Sequence, residues 1–203
     1  MRVKFYREHK YVSAVLNNLE RLIAKTDFRK DTEIEVARKE WKEISDMLKE
    51  HARYEEEKLH SLLEKKGSMV CRQAQGQHEE MDAIFPRVDA LFEAVIKEEN
   101  QEKKVELGYE LYLVFRKFVG ENLLHLYEEE TKILPELQRL YTDEELRCVE
   151  DSTYKVMTVE EMVDMLQVLF PHMNALDKEA FLEDIQLSQP EKFKQIIDKV
   201  KAF

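Results

Sequence analysis

An apolar repeat of about 3.6 residues runs through almost the whole chain and limits it to helices. Phe5, Val12, Val15, Leu16, Leu19, Leu22 and Ile23 mark the face of a first helix, which breaks over 26–31. A second helix opens with Thr32 and Glu35 at capping-box spacing. It carries Trp41, Ile44, Met47, Leu48, Leu59, Leu62 and Leu63, then stops at Gly67, a residue suited to the left-handed turn after a helix. A third helix is expected over about 68–97, kinked by Pro86, and a fourth over about 104–140, bent in its last turn by Pro135. Only 4 Gly and 4 Pro occur among 203 residues, which excludes turn-dense all-β folds. No strand pattern and no fixed repeat is visible.

The tail holds further helix starts. Thr142 with Glu145 and Thr158 with Glu161 match the capping box, and Ser188 precedes Pro190 and Glu191. The expected fold is therefore all-α: an up-down-up-down antiparallel four-helix bundle over 1–140, with a C-terminal extension of short helices over 141–203. The apolar stripe of Met157, Met162, Met165, Leu166, Leu169 and Phe170 packs that extension on the bundle or forms a homodimer interface. Monomer and homodimer both stay open.

Charge removes several function classes. Net charge is −11, so neither a phosphate backbone nor an anionic lipid surface is an expected partner: no nucleic acid, no membrane. No stretch approaches 18 apolar residues. The opening run MRVKFYREHKYVSAVL lacks an apolar signal-peptide core, and Cys71 and Cys148 form no CxxC. These features point to a cytoplasmic protein with two reduced thiols.

Chemistry concentrates on histidine. Of the six, His9, His51, His78 and His125 fall one per bundle helix. Counted from the intervening turns, their depths differ by about two to five residues, or roughly 3–8 Å at 1.5 Å per residue. One layer of the bundle can therefore gather all four. His51 and His125 each carry a carboxylate four residues on, Glu55 and Glu129, which places each pair on one helix face. Two acids buried opposite each other are costly without cations between them. A metal pair resolves the conflict; imidazole plus carboxylate suits iron, and also manganese or zinc. The competing reading is bland: Glu55–Glu57 and Glu128–Glu130 as solvated faces, since a lone His–Glu pair is usually a surface pair. Ferritin-like di-iron bundles use Glu-x-x-His on two helices; here only Glu57 and His60 fit, so His60 reads as a helix-face histidine. His172 has no ligand-spaced partner. Tyr54 and Tyr127 read as packing residues between helices.

At these residues the chain resembles the hemerythrin-like (HHE cation-binding) family. The runs HARYEEEKLHSLLEKKG and HLYEEETKILPELQRL resemble its second and fourth metal-binding helices. REHKYVSAVLNNLERL resembles the first and QHEEMDAIF the third, and the resemblance covers about 5–140. It implies His9, His51, His78 and His125 as terminal ligands of a di-iron centre, with Glu55 and Glu129 bridging and Glu130 as an alternative bridge. Oxygen-carrying members have two histidines four apart in the third helix. Here the upstream position is Ala74, with Glu79 and Asp82 nearby. That departure argues against reversible oxygen carriage. The function expected is a non-haem di-iron protein that binds or senses iron, oxygen or nitric oxide. The alternatives are a di-iron enzyme acting on nitric oxide or peroxide or repairing iron centres, and a metal-free helical interaction module.

Overall fold

The computed structural model describes residues 5–200, which contain helices and no strand. The chain divides into two compact units: Leu16–Ile133, and the chain up to Val15 together with everything from Leu134 onward.

The Leu16–Ile133 unit is a helical bundle. It takes the C-terminal part of α1 (His9–Lys25), then α2 (Asp31–Tyr54), which passes through a π-helical turn (Glu55–His60) into α3 (Ser61–Lys65). After these come α4 (Arg72–Asp82), α5 (Phe85–Lys97) and α6 (Gln101–Glu128), the last running into a second π-helical segment, Glu129–Ile133. Trp41 centres its core. The indole stacks on Phe85 at 5.7 Å and meets the edges of Phe115 and Phe118 at 5.7 and 5.8 Å, while its Nε1–H donates to Asp89 Oδ1 at 2.7 Å. Such aromatic pairs add about 0.5–1.5 kcal/mol each beyond area burial. Gly108 lets the Phe28 ring lie on α6, because a Cβ there would stand 2.2 Å from Phe28 Cγ.

Local signals account for most boundaries, with three departures from expectation. Gly67 has φ +73°, Ser68 N–H donates to Leu63 O at 2.9 Å, and Gly67 N–H donates to Glu64 O at 2.9 Å; this pair of bonds closes α3. The Thr32–Glu35 capping box does not form. Helix α2 begins a residue earlier at Asp31, and Glu33 instead reaches back to accept from Asp27 N–H at 2.9 Å. The third helix is two helices rather than one kinked rod: Pro86 sits at the start of α5, and its ring and missing N–H end the hydrogen-bond ladder at Asp82. The fourth helix opens at Gln101, since Asn100 Oδ1 accepts from Glu102 and Lys103 N–H.

In the other unit, α7 (Leu134–Leu140) leads to α8 (Asp143–Val156), α9 (Val159–Leu169), α10 (Ala175–Ser188) and α11 (Pro190–Val200). Both expected capping boxes form, at Thr142–Glu145 and Thr158–Glu161. Ser188 ends α10, and Pro190 opens α11. Lys192 Nζ donates to the last carbonyls of α8, at 3.1 Å to Tyr154, 2.7 Å to Lys155 and 2.6 Å to Met157, where the helix dipole favours a cation. Met162, Leu166, Leu169 and Phe170 are buried, as the apolar stripe requires. Arg7 pairs with Asp184 and, at 3.5 Å, with Glu150.

Burial, aided by the charge of Asp184 and opposed by Arg7, pushes the Glu150 carboxyl up to about 7 from its ordinary 4.5. The folded chain therefore holds a proton that the unfolded chain has released, and stability falls as pH rises from about 4.5 to about 7. Glu150→Gln should flatten that slope. Thermal melts at about pH 5 and about pH 8 should show the variant gaining at the higher pH, on the order of 1–3 kcal/mol at 1.36 kcal/mol per pKa unit. Parallel pH profiles for the two proteins would contradict the assignment.

Candidate metal centre

Two helices of the Leu16–Ile133 unit enter the site in the same way. Each presents a histidine in its last α-helical turn, then a glutamate four residues on that opens a π-helical turn: His51 and Glu55 on α2, His125 and Glu129 on α6. Both glutamates are 0% exposed. Imidazoles face them. His51 Nε2 stands 3.2 Å and His78 Nε2 3.4 Å from Glu55, and His125 Nε2 stands 3.4 Å from Glu129. Donor atoms of Glu55, His78, His125 and Glu129 all lie within 4.8 Å of one another, and those of His51, Glu55 and Glu129 form a second such set.

The outer faces of the rings fix their tautomers. His78 Nδ1 lies 2.9 Å from Glu56 Oε1; a carboxylate only accepts, so Nδ1 carries the hydrogen. His125 Nδ1 lies 2.9 Å from Gln77 Oε1. Gln77 turns its NH₂ to Glu128 Oε2 at 3.0 Å, which orients the amide and makes His125 Nδ1 the donor. Both Nε2 lone pairs then point inward, 2.9 Å apart. Two such lone pairs need a proton or a cation between them. Two nitrogens bound at right angles to one ion at about 2.1 Å stand about 3.0 Å apart, so this donor set fits a metal ion. Carboxylate and amide partners on Nδ1 are the usual support of metal-binding histidines. Burial lowers the His78 pKa, but Glu55 and Glu56 outweigh it and the net shift is upward.

The remaining expected residues divide. His9 opens α1, is buried, and packs its ring on Tyr6 at 4.4 Å; Tyr6 holds a left-handed φ of +72°, an outlier for a bulky residue. Glu130 is exposed, so the buried acid of α6 is Glu129. Ala74 is buried, Glu79 is exposed, and Asp82 is exposed at a cleft that also contains His78. Tyr127 is 63% exposed and is no packing residue. His172 is half-buried in the short turn after α9.

His60 departs from its reading as a helix-face histidine. It is 0% exposed, its ring lies parallel to His78 at 5.8 Å, and Nε2 stands 4.0 Å from Glu129 Oε1. Burial pushes its pKa down. Glu56, Gln77 and Glu128 were also missed as orienting groups; their adjacency to the candidate ligands was the only signal in the sequence.

Two spaces adjoin the site. A cleft of about 470 Å³, lined by Lys49, Arg53, Glu56, Asp82 and Asp89 among others, reaches His78. A small cavity of about 20 Å³ touches His51, His78, Asn122 and His125, room for a single water-sized molecule.

The family model of the hemerythrin HHE cation binding domain matches residues 2–137. The chain belongs to that family. No curated protein and no solved structure matches it. Membership in the HHE family and the buried His/Glu groupings agree on a site that can hold a metal cation. No described helix is long and apolar enough to cross a membrane.

If Gln77 sets the His125 tautomer, Gln77→Ala should weaken metal binding about 10–100-fold, the usual cost of losing such a partner. Competition titration with a chelator measures it. Unchanged affinity would remove Gln77 from the site.

Proposed function

We propose that this HHE protein binds a pair of non-haem iron ions and uses them to bind or sense iron, oxygen or nitric oxide. The observation that carries this reading is a buried layer in which Glu55, His78, His125 and Glu129, joined by half-buried His51 beside Glu55 and Glu129, turn donor atoms toward one another. In this reading His51 would hold one ion and His78 and His125 the other, with Glu55 and Glu129 as the acids that would bridge them; the family resemblance would add His9 to the first. Manganese and zinc suit the same donors. Bound iron would supply open coordination positions and a ferrous–ferric couple to a small diatomic ligand.

The chain's own residues do the rest. Glu56 and Gln77 hold the His78 and His125 rings with Nε2 inward. The 20 Å³ cavity beside His51, His78 and His125 has room for a very small molecule, and the larger cleft gives a way in at His78. A cytoplasmic setting belongs to the same proposal, supported by two free thiols, Cys71 buried and Cys148 exposed. The helices beyond residue 140 are proposed to pack on the chain itself or against a second copy.

His51→Ala tests the ligand set. Removing this imidazole takes away one donor beside Glu55 and leaves its charge less compensated. The variant should bind less iron, and the stabilisation that iron gives the wild type should shrink; a ligand at 100 times its Kd adds about 2.7 kcal/mol. Iron stoichiometry equal to wild type would rule His51 out.

A further inference from the structure

The proposed di-iron reading gives no role to the most deeply buried histidine outside its ligand set. We infer that His60 is a fifth imidazole of the metal centre, ligating through Nε2 the ion that His78 and His125 hold. The inference rests on that reading and extends its donor set by a residue on a different helix face from the one periodicity selects.

Four observations carry it. First, His60 is 0% exposed, and among the described residues neither ring nitrogen has a hydrogen-bond partner. A buried polar group left so costs stability unless something else engages it. Second, Nε2 stands 4.0 Å from Glu129 Oε1. Two donors on one ion at about 2.1 Å stand about 3.0 Å apart when adjacent and about 4.2 Å when opposite. His60 is not one of the four donors that lie within 4.8 Å of one another, so ligation would require its ring to turn toward the ion. Third, the π-helical turn Glu55–His60 ends on this residue. In an unbroken α-helix residue 60 lies about 140° around from residue 55; an i→i+5 turn carries it back above Glu55. Fourth, Gly67 separates two residues at equal distance, His60 seven before it and Ala74 seven after it. Equal spacing from a turn puts both at one level of the helix pair. Ala74 is buried and small, which leaves the space beside His78 to the His60 ring, stacked there at 17°.

Cobalt(II) titration of the full chain reads the site without any activity. Its visible absorption reports coordination number and donor type, and competition with a chelator gives affinity. Wild type should take up two ions. His60→Leu should take up one ion about as tightly as wild type and the second at least tenfold more weakly, with a changed cobalt spectrum. The metal-free variant should melt higher than metal-free wild type, because an apolar side chain replaces an unengaged imidazole. A purely structural His60 would give the reverse: a lower metal-free melting temperature and an unaltered cobalt spectrum, and that result would overturn the inference. Should His60→Leu fail to fold, His60→Gln gives the same comparison with a polar head retained. Failure of wild type to take up cobalt would instead sink the di-iron reading, and this inference with it.

Discussion

Two carboxylates buried side by side, Glu55 and Glu129, are the constraint on which the rest depends. Each is 0% exposed. Desolvating a carboxylate costs several kcal/mol even after relaxation, and like charges at close range add to that. Imidazoles brought by α2, α4 and α6 face the two acids. The outer nitrogens of His78 and His125 are held by Glu56 and Gln77, so the inner ones aim at the acids and at each other. The Trp41–Phe85–Phe115–Phe118 cluster fixes α2, α5 and α6 in the same unit. The donor atoms of Glu55, His78, His125 and Glu129 therefore stand together within 4.8 Å of one another.

Much of the site was legible because its pairs obey α-helical spacing. His51 with Glu55 and His125 with Glu129 stand four apart, and the helix up to each pair is regular. His60 was not legible for the complementary reason. At 100° per residue it lies about 180° around an α-helix from His51, so periodicity assigns it to the opposite face. The π-helical turn rewinds that register, and nothing in the local sequence announces it. In α6 the matching segment Glu129–Ile133 ends two residues before Pro135, whose ring and missing N–H cannot extend an α-helical ladder to Thr131. There the proline was a signal, read as a bend rather than as a wide turn.

The same division holds elsewhere. The Thr142 and Thr158 capping boxes could be read directly because donor and acceptor lie three residues apart. The Thr32–Glu35 box matched equally well yet did not form, since the Asp27 N–H drew Glu33 and moved the helix start to Asp31. Contacts that close long loops carried no sequence signal. Arg7 meets Asp184 across 177 residues, and that pairing sets the environment of Glu150. Gln77 is a similar case: its role depends on Glu128, a residue on another helix.

The most direct measurement is iron content per chain, by elemental mass spectrometry, after anaerobic loading with ferrous iron and removal of loosely held metal. The account predicts about two irons per chain, the number that the proposed di-iron reading requires. A chain that retains no iron, nor manganese or zinc loaded in the same way, would contradict the central claim and leave a helical bundle whose buried acids need another counterion.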